Sequence, residues 1–208
     1  MLISTGTVRT WLSIATDDIT PNAKIDSLIK AIQDFCDSYT GRELEAGIYT
    51  SDVNNCIFDG SGKAWIYTKQ YPLSHVNDIR VDADREWGSG AIVATNDVYF
   101  YPSGKIVSEA GYFTKGRRNV RIDYNAGYAP VVGGTHNSAV GSYPCPYDLQ
   151  QTMVEMVVQS FKEGITMVHT VENENNLNFV QMLSQKSFWR KTLNNYKNYA
   201  IGLDKKDE

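Results

Sequence analysis

Residues 21–41, PNAKIDSLIKAIQDFCDSYTG, carry the strongest periodic signal in the sequence. Apolar side chains recur there at steps of three and four residues, which places them on one face of a helix. They are Ile25, Leu28, Ile29, Ile32, Phe35, Cys36 and Tyr39. Residues 17–20 provide a cap, Pro21 suits the first helical position, and Gly41 suits the left-handed conformation in which helices often end. The stretch therefore predicts an amphipathic helix with one buried face.

Similar spacing predicts three more helices. Ser4 or Thr5 would cap a short N-terminal helix, whose apolar residues are Val8, Trp11, Leu12 and Ile14. After Pro146, a helix that ends near Gly164 carries Leu149, Met153, Val154, Met156, Val157 and Phe161. A polar joint at residues 170–178 precedes a last helix with Phe179, Leu183, Trp189, Leu193, Tyr196 and Tyr199. Helices are therefore expected at both ends of the chain.

Between them, helical spacing disappears, and β-branched and aromatic residues alternate with turn signals. One predicted hairpin joins residues 49–58 to residues 63–68 through Asp59-Gly60-Ser61-Gly62, because these residues tolerate tight turns. Further strands are predicted at 73–81, 91–93, 98–101, 105–107 and 119–124. Short strands with close turns favour a small antiparallel sheet or sandwich.

The sequence thus predicts an α+β protein, with a helical bundle framework and an inserted small antiparallel β region. Its 208 residues suit one domain, or one domain with a large insertion. Four segments are expected. They are N-terminal helices at 1–45, the β region at 46–130, a loop and core helix at 131–165, and a C-terminal arm or helix at 166–208.

Composition and charge exclude several classes of protein. The formal net charge is −4, which argues against a strongly basic nucleic-acid binder. No apolar run is long enough for a bilayer, and the first residues do not look like a secretory signal, so we expect a soluble intracellular chain without membrane contact. Three widely spaced cysteines are expected to be free buried thiols. The 13 tyrosines suit half-buried strands and contact surfaces.

Residues 186–208 differ in charge from the rest of the chain. They carry a formal charge of +3, whereas the first 185 residues carry −7. A basic arm with aromatic side chains on an acidic body is a candidate contact element. The alternative is a solvated helix face that packs back on the body.

No residue pattern for catalysis is found. His75, His136 and His169 have no partner at metal-binding spacing, and neither a phosphate-binding loop nor a nucleophile elbow is present. The acidic run at 82–86 starts like a calcium loop, but Trp87 stands where that loop needs glycine, so an exposed acidic hairpin tip is preferred. Gly116-Arg117-Arg118 is expected to be an exposed turn rather than a phosphate site. The sequence predicts no catalytic residue, no cofactor and no metal, and indicates a binding protein or a structural protein.

Several short motifs follow one another along the chain, and their order is more informative than any one of them. They are Leu2-Ile3-Ser4, Asp37-Ser38-Tyr39-Thr40-Gly41-Arg42, Asp59-Gly60-Ser61-Gly62, Tyr71-Pro72-Leu73-Ser74-His75-Val76, Val120-Arg121-Ile122-Asp123-Tyr124-Asn125-Ala126-Gly127-Tyr128 and Pro146-Tyr147-Asp148-Leu149. In this order they resemble the head-to-tail connector proteins of tailed bacteriophages, also called adaptor or head-completion proteins. The resemblance covers about residues 2–163. The loop from Ala129 to Tyr143 is longer than in the family.

The resemblance implies a structural protein of the virion neck, made in the host bacterial cytoplasm, and not an enzyme. Copies would form a ring beneath the portal protein, expected to be dodecameric to match it. The ring would extend the channel for double-stranded DNA without sequence-specific contacts, and would offer a docking face for the tail or its stopper or terminator protein. We expect the C-terminal arm to contact the portal through Trp189, Arg190, Lys191, Tyr196, Lys197 and Tyr199.

Three other functions compete with this hypothesis. The first is another ring of the neck, a stopper or tail terminator, although the strong helix at 21–40 argues against it. The second is a carbohydrate-binding module, with stacking candidates Tyr67, Tyr71, Tyr99 and Tyr101. The third is a small hydrolase, whose acid or base would be Asp82, Asp84, Glu86 or His75.

Overall fold

The structure is a computed structural model that describes residues 1–50, 56–87, 97–109, 111, 113–132, 135–136, 143–163 and 187–197. The predicted strand at 91–93, the polar joint at 170–178, and Phe179, Leu183 and Tyr199 lie outside these residues. The chain divides into two compact units. We call the described residues within 1–42, 130–136 and 145–199 the helical unit, and the described residues within 43–129 and 137–144 the strand unit.

The described residues form helices and mainly antiparallel strands, so the α+β class predicted from the sequence is confirmed. The helices are α1 Thr5–Leu12, α2 Asn22–Thr40, α3 Tyr147–Lys162 and α4 Ser187–Asn195. The strands are β1 Gly47–Tyr49, β2 Ile57–Gly60, β3 Trp65–Tyr67, β4 Leu73–Val81, β5 Val98–Phe100, β6 Lys105–Ser108, β7 Gly116–Ala126, β8 Tyr128–Ala129, β9 Val131–Val132, β10 Thr135–His136 and β11 Tyr143–Pro144.

In the helical unit, α1, α2 and α3 contact one another, and α4 packs on α2 and α3. The apolar residues predicted to share a face are buried on α2 and α3, since close packing of helices requires continuous apolar stripes. They include Ile25, Leu28, Ile29, Ile32 and Cys36 on α2, and Leu149, Met153, Met156 and Val157 on α3. Phe35 and Tyr39, predicted on the same face, are only half-buried.

The helix ends follow the sequence signals with one correction. The Ser4 side chain accepts a hydrogen bond from the Thr7 amide and so caps α1, as predicted. Gly41 ends α2 with a φ of 71°. Pro21, however, is the N-cap of α2 rather than its first helical residue, and it makes no side-chain capping bond.

In the strand unit, β7 is the central strand of a four-stranded antiparallel sheet. β4 pairs along one edge of β7, while β1 and β2 pair one after the other along the opposite edge. The inner side chains of this sheet form one apolar cluster together with Cys56, Phe113 and two residues of the β3–β6 pair, Ile66 and Ile106, as expected for a sheet with one buried face. Its members are Tyr49, Cys56, Phe58, Ile66, Leu73, Val76, Ile79, Ile106, Phe113, Val120, Ile122, Tyr124 and Ala126.

The predicted hairpin between residues 49–58 and 63–68 is wrong, because β2 pairs with β7 and β3 pairs with β6. Asn119 on β7 fixes the pairing of β2: its side-chain oxygen accepts from the Gly60 amide at 2.8 Å, and its amide nitrogen donates to the Thr114 carbonyl at 2.8 Å. A Cβ on Gly60 would lie 1.9 Å from the Thr114 carbonyl oxygen. Gly60 therefore allows two backbones to approach, and it is not a turn residue.

A second correction concerns Gly116-Arg117-Arg118, which begins β7 instead of forming a turn before a strand. The remaining strands form a three-stranded antiparallel sheet in the order β3-β6-β5 and two short pairs. β9 and β10 are antiparallel in the helical unit, and β8 and β11 are parallel in the strand unit. None of the helices in the described part of the chain is long and apolar enough to span a membrane.

Candidate functional site

The two histidines that the structure describes lie on different strands. His75 lies on β4, where its ring meets the Phe100 ring edge-on at 6.3 Å. His136 lies on β10, and His169 is outside the described residues. Among the residues that the structure describes, no three His, Cys, Asp or Glu side chains are grouped to hold a metal ion.

The acidic run lies in an ordered turn at the end of β4, which we call the acidic turn (residues 82–87). The Asp82 carboxylate accepts from the amides of Asp84 and Trp87, both at 2.9 Å. These backbone N–H groups, that of Asp84 first, hold the pKa of Asp82 below its usual value. Asp82 thus folds into the turn, while Asp84 and Glu86 are exposed. Residues 88–96, which would complete the predicted hairpin, are outside the described residues.

Trp189, the first residue predicted to contact the portal, packs into the helical unit. Its side chain is only 3% exposed, and its indole N–H donates to the Glu155 carboxylate on α3 at 2.9 Å. Leu193, one turn later, is fully buried. Trp189 and Leu193 therefore anchor α4, since an apolar body with one satisfied polar atom suits a buried position.

Two more predicted contact residues tie the end of α4 to its neighbours. The Tyr196 hydroxyl donates to the Asp148 carboxylate at 2.7 Å, and the Tyr196 carbonyl accepts from Arg42 Nε at 2.9 Å. Lys197 Nζ lies 4.2 Å from the centre of the Tyr39 ring. Both side chains are half-buried.

Among the residues of α4 that were predicted to contact the portal, Arg190 and Lys191 are exposed. Beside them, Ser187, Phe188 and Trp189 line a groove of about 440 Å³, which Trp11 and Val158 line from α1 and α3. Trp11 and Phe188 are 46% and 53% exposed, which is high for large apolar side chains. We call Arg190, Lys191 and this groove the α4 surface. The sequence places Trp11 on a helix face and gives no signal for Phe188, because no local pattern connects either residue with α3.

The cysteines are free and buried, as the sequence predicts. Burial raises the pKa of Cys145 to about 12, with Asp148 nearby adding to the effect, and burial raises that of Cys36 further. At about pH 8 we therefore expect these thiols to react with a disulfide reagent about 1,000-fold more slowly than in guanidinium chloride, because only the thiolate attacks. A thiol that reacts quickly in the native protein would contradict this expectation.

The sequence matches a known protein family, and the fold is similar to that of solved structures. A sequence model described as "HCP: Head completion protein" matches residues 1–180. The fold is similar to that of a chain in the neck of an empty gene transfer agent (GTA) particle, with a TM-score of 0.54, 14% identity, and 96% of this chain and 91% of that chain covered. A chain in the virion of the native gene transfer agent particle aligns with a TM-score of 0.53, at the same identity and coverage. No curated protein matches in sequence.

The family match extends over the segment whose ordered motifs resemble the head-completion family, and it confirms that resemblance. The match includes α1, α2, the strand unit up to Pro144, and α3. With most of its length covered, the chain belongs to the head completion protein family.

Proposed function

We propose that this chain is a structural protein of the virion neck, where its copies form a ring beneath the portal. The ring extends the DNA channel and gives the tail, or its stopper or terminator, a face on which to dock. The observation that carries the proposal is the family match over residues 1–180. The similar fold of chains from a gene transfer agent neck and virion supports it.

The charge of the protein suits a DNA channel. Each Lys or Arg that contacts a phosphate releases counterions and so holds DNA in place. A net charge of −4 means that the carboxylates outnumber the 20 Lys and Arg side chains, so the protein repels phosphates on balance, which favours passage of DNA over retention. We propose that the DNA passes without sequence-specific contacts.

In this proposal, the helices form a framework that presents the α4 surface to the portal. Trp189 and Leu193 fix α4 on α3 and α2, so that Arg190 and Lys191 remain exposed at a defined place. The apolar groove between Trp11 and Phe188 would receive an apolar side chain, and the two cations would meet acidic side chains of the portal. The α4 surface is therefore complementary to a portal surface that carries acidic residues.

The first test is to mix the purified protein with the portal protein encoded nearby in its genome. The mass of the complex is then measured by size exclusion with light scattering. We expect a portal ring that gains one copy of this chain per portal subunit. A portal that elutes with unchanged mass would contradict the proposal and favour another ring of the neck.

A further inference from the structure

We propose that the outer face of the three-stranded sheet β3-β6-β5 binds the acidic turn of a neighbouring copy of this chain. We call this surface the cation–aromatic face; it contains Lys63, Trp65, Tyr67, Tyr99 and Lys105. The proposal rests on the ring described above, and adds the two surfaces through which adjacent copies meet.

The strand register places the aromatic side chains on one side of the sheet. Trp65 pairs with Val107, which pairs with Tyr99 on the next strand. Ile66 and Ile106, at the alternate positions, are buried, so the row that starts with Trp65 points outward. Tyr99 is 54% exposed. An outward row of large aromatic side chains is a feature of protein interfaces.

Two lysines are positioned on this face. Lys63 Nζ and Lys105 Nζ lie 4.6 Å and 5.6 Å from the centre of the Trp65 ring, and the Tyr67 ring meets Trp65 edge-on at 5.5 Å. No described carboxylate forms an ion pair with either lysine. Because the ammonium groups already occupy the indole, Trp65 is poorly placed to stack on a base or a sugar. The face instead presents two ordered cations beside apolar rings, which suits carboxylates.

The acidic turn has the matching chemistry. It carries a net charge of −2, with Asp84 and Glu86 exposed. Arg85 and Trp87 have positive φ angles of 63° and 55°, a strained conformation for residues other than glycine. The Asp82 carboxylate holds this conformation through its two backbone hydrogen bonds. A turn that is ordered before binding loses little entropy on contact, which favours association.

Within one chain, the described residues show no ion pair between Lys63 or Lys105 and the carboxylates of the acidic turn. The Phe100 ring on the buried side of the three-stranded sheet contacts His75, near the start of β4. The acidic turn follows Val81, six residues farther along the strand, which corresponds to about 20 Å. Two complementary patches at different places on one chain form a heterologous contact, and such contacts close into rings when the rotation permits.

Zero-length cross-linking tests the contact directly. Equal amounts of ¹⁴N- and ¹⁵N-labelled full-length protein are mixed, assembled with the portal, and treated with a carbodiimide, which couples lysines only to carboxylates in contact. We expect mass spectrometry to find peptides joined from Lys63 or Lys105 to Asp84 or Glu86, with the two isotopes mixed. Peptides joined only within one isotope, or none from this pair of surfaces, would overturn the proposal.

Charge exchange tests its energetics. Lys63→Glu with Lys105→Glu, or Asp84→Lys with Glu86→Lys, should each weaken contact between copies at least tenfold. The chain with all four substitutions should recover to within about threefold of wild type, because both partners are reversed together. Recovery also shows that the variants fold. Failure of the fourfold variant to recover would reject the pairing.

The outcomes of these experiments distinguish failure of this inference from failure of the proposed function. Suppose that every portal subunit binds one copy of the chain, but the cross-links are absent and the charge-reversed variants associate as wild type does. That result would reject this inference and leave the proposed function intact. If the protein does not bind the portal but forms these cross-links when it is free and concentrated, the position of the ring beneath the portal is rejected and the contact between copies is retained. Binding of duplex DNA that is lost in Lys63→Glu/Lys105→Glu would assign the face to phosphates and overturn the inference.

Discussion

Gly127→Ala should lower the free energy of unfolding of the protein by about 3 kcal/mol, since it combines backbone strain with a clash. Gly127 joins β7 to β8 with a φ of 106°, which L-residues rarely adopt. A Cβ there would lie 2.5 Å from the Glu45 carbonyl oxygen and 2.7 Å from the Ala46 Cα. We expect urea denaturation to show a clearly lower midpoint with little change in slope.

The neighbouring backbone cannot move away to relieve this clash. The Ala46 amide donates to the Tyr128 carbonyl, and the Tyr128 amide donates to the Leu44 carbonyl, both at 2.8 Å. Any retreat of residues 45–46 would stretch these bonds. Gly111→Ala is the matched control, because its Cβ would meet nothing within 4 Å; it should change stability by less than about 0.5 kcal/mol. Equal stability of the two variants would contradict this account of the β7–β8 junction.

Sequence reasoning predicted the helices because their signals are local. The apolar spacing of α2, the Ser4 cap and the stop at Gly41 each depend on residues within a few positions. The bounds of β4 are predicted correctly for the same reason, since a run that contains Val76, Ile79 and Val81 lies between turn signals.

Strand pairing was not predictable in the same way. The partner of β2 is about 60 residues away in sequence, and it is selected by the Asn119 side chain and by the lack of a side chain at Gly60. An Asp-Gly-Ser-Gly sequence looks like a hairpin turn until the tertiary contact is known. The pairing of strands therefore had to come from the structure.

The family was predictable because its motifs are short and ordered along the chain. Two of these motifs contain Gly41 and Gly127, whose positive φ angles other residues avoid, so each motif marks a backbone conformation that the sequence alone makes visible. The α4 surface was only partly predictable. The basic and aromatic residues of the last helix were selected, but the side that Trp189 buries depends on α3, about 30 residues earlier.

Arg190→Glu with Lys191→Glu should weaken binding to the portal at least tenfold, or about 1.4 kcal/mol. Both side chains are exposed on α4 and have no packing role, so reversal changes the charge of the α4 surface and leaves its structure intact. Binding is measured from the fraction of portal that co-elutes with the protein over a concentration series. Added salt should also weaken wild-type binding, since screening acts on exposed charge pairs.

Charge reversal is a sharper test than deletion of the arm. Removing the chain from Lys186 would also remove Trp189 and Leu193 and expose the apolar surface that they cover on the helical unit, so lost binding could reflect lost folding. Lys30→Glu with Arg117→Glu is the matched control, because it reverses one exposed lysine and one exposed arginine elsewhere and changes the net charge equally. If both double variants bind the portal as wild type does, α4 is not the portal contact; if both lose binding equally, net charge and not the α4 surface governs it.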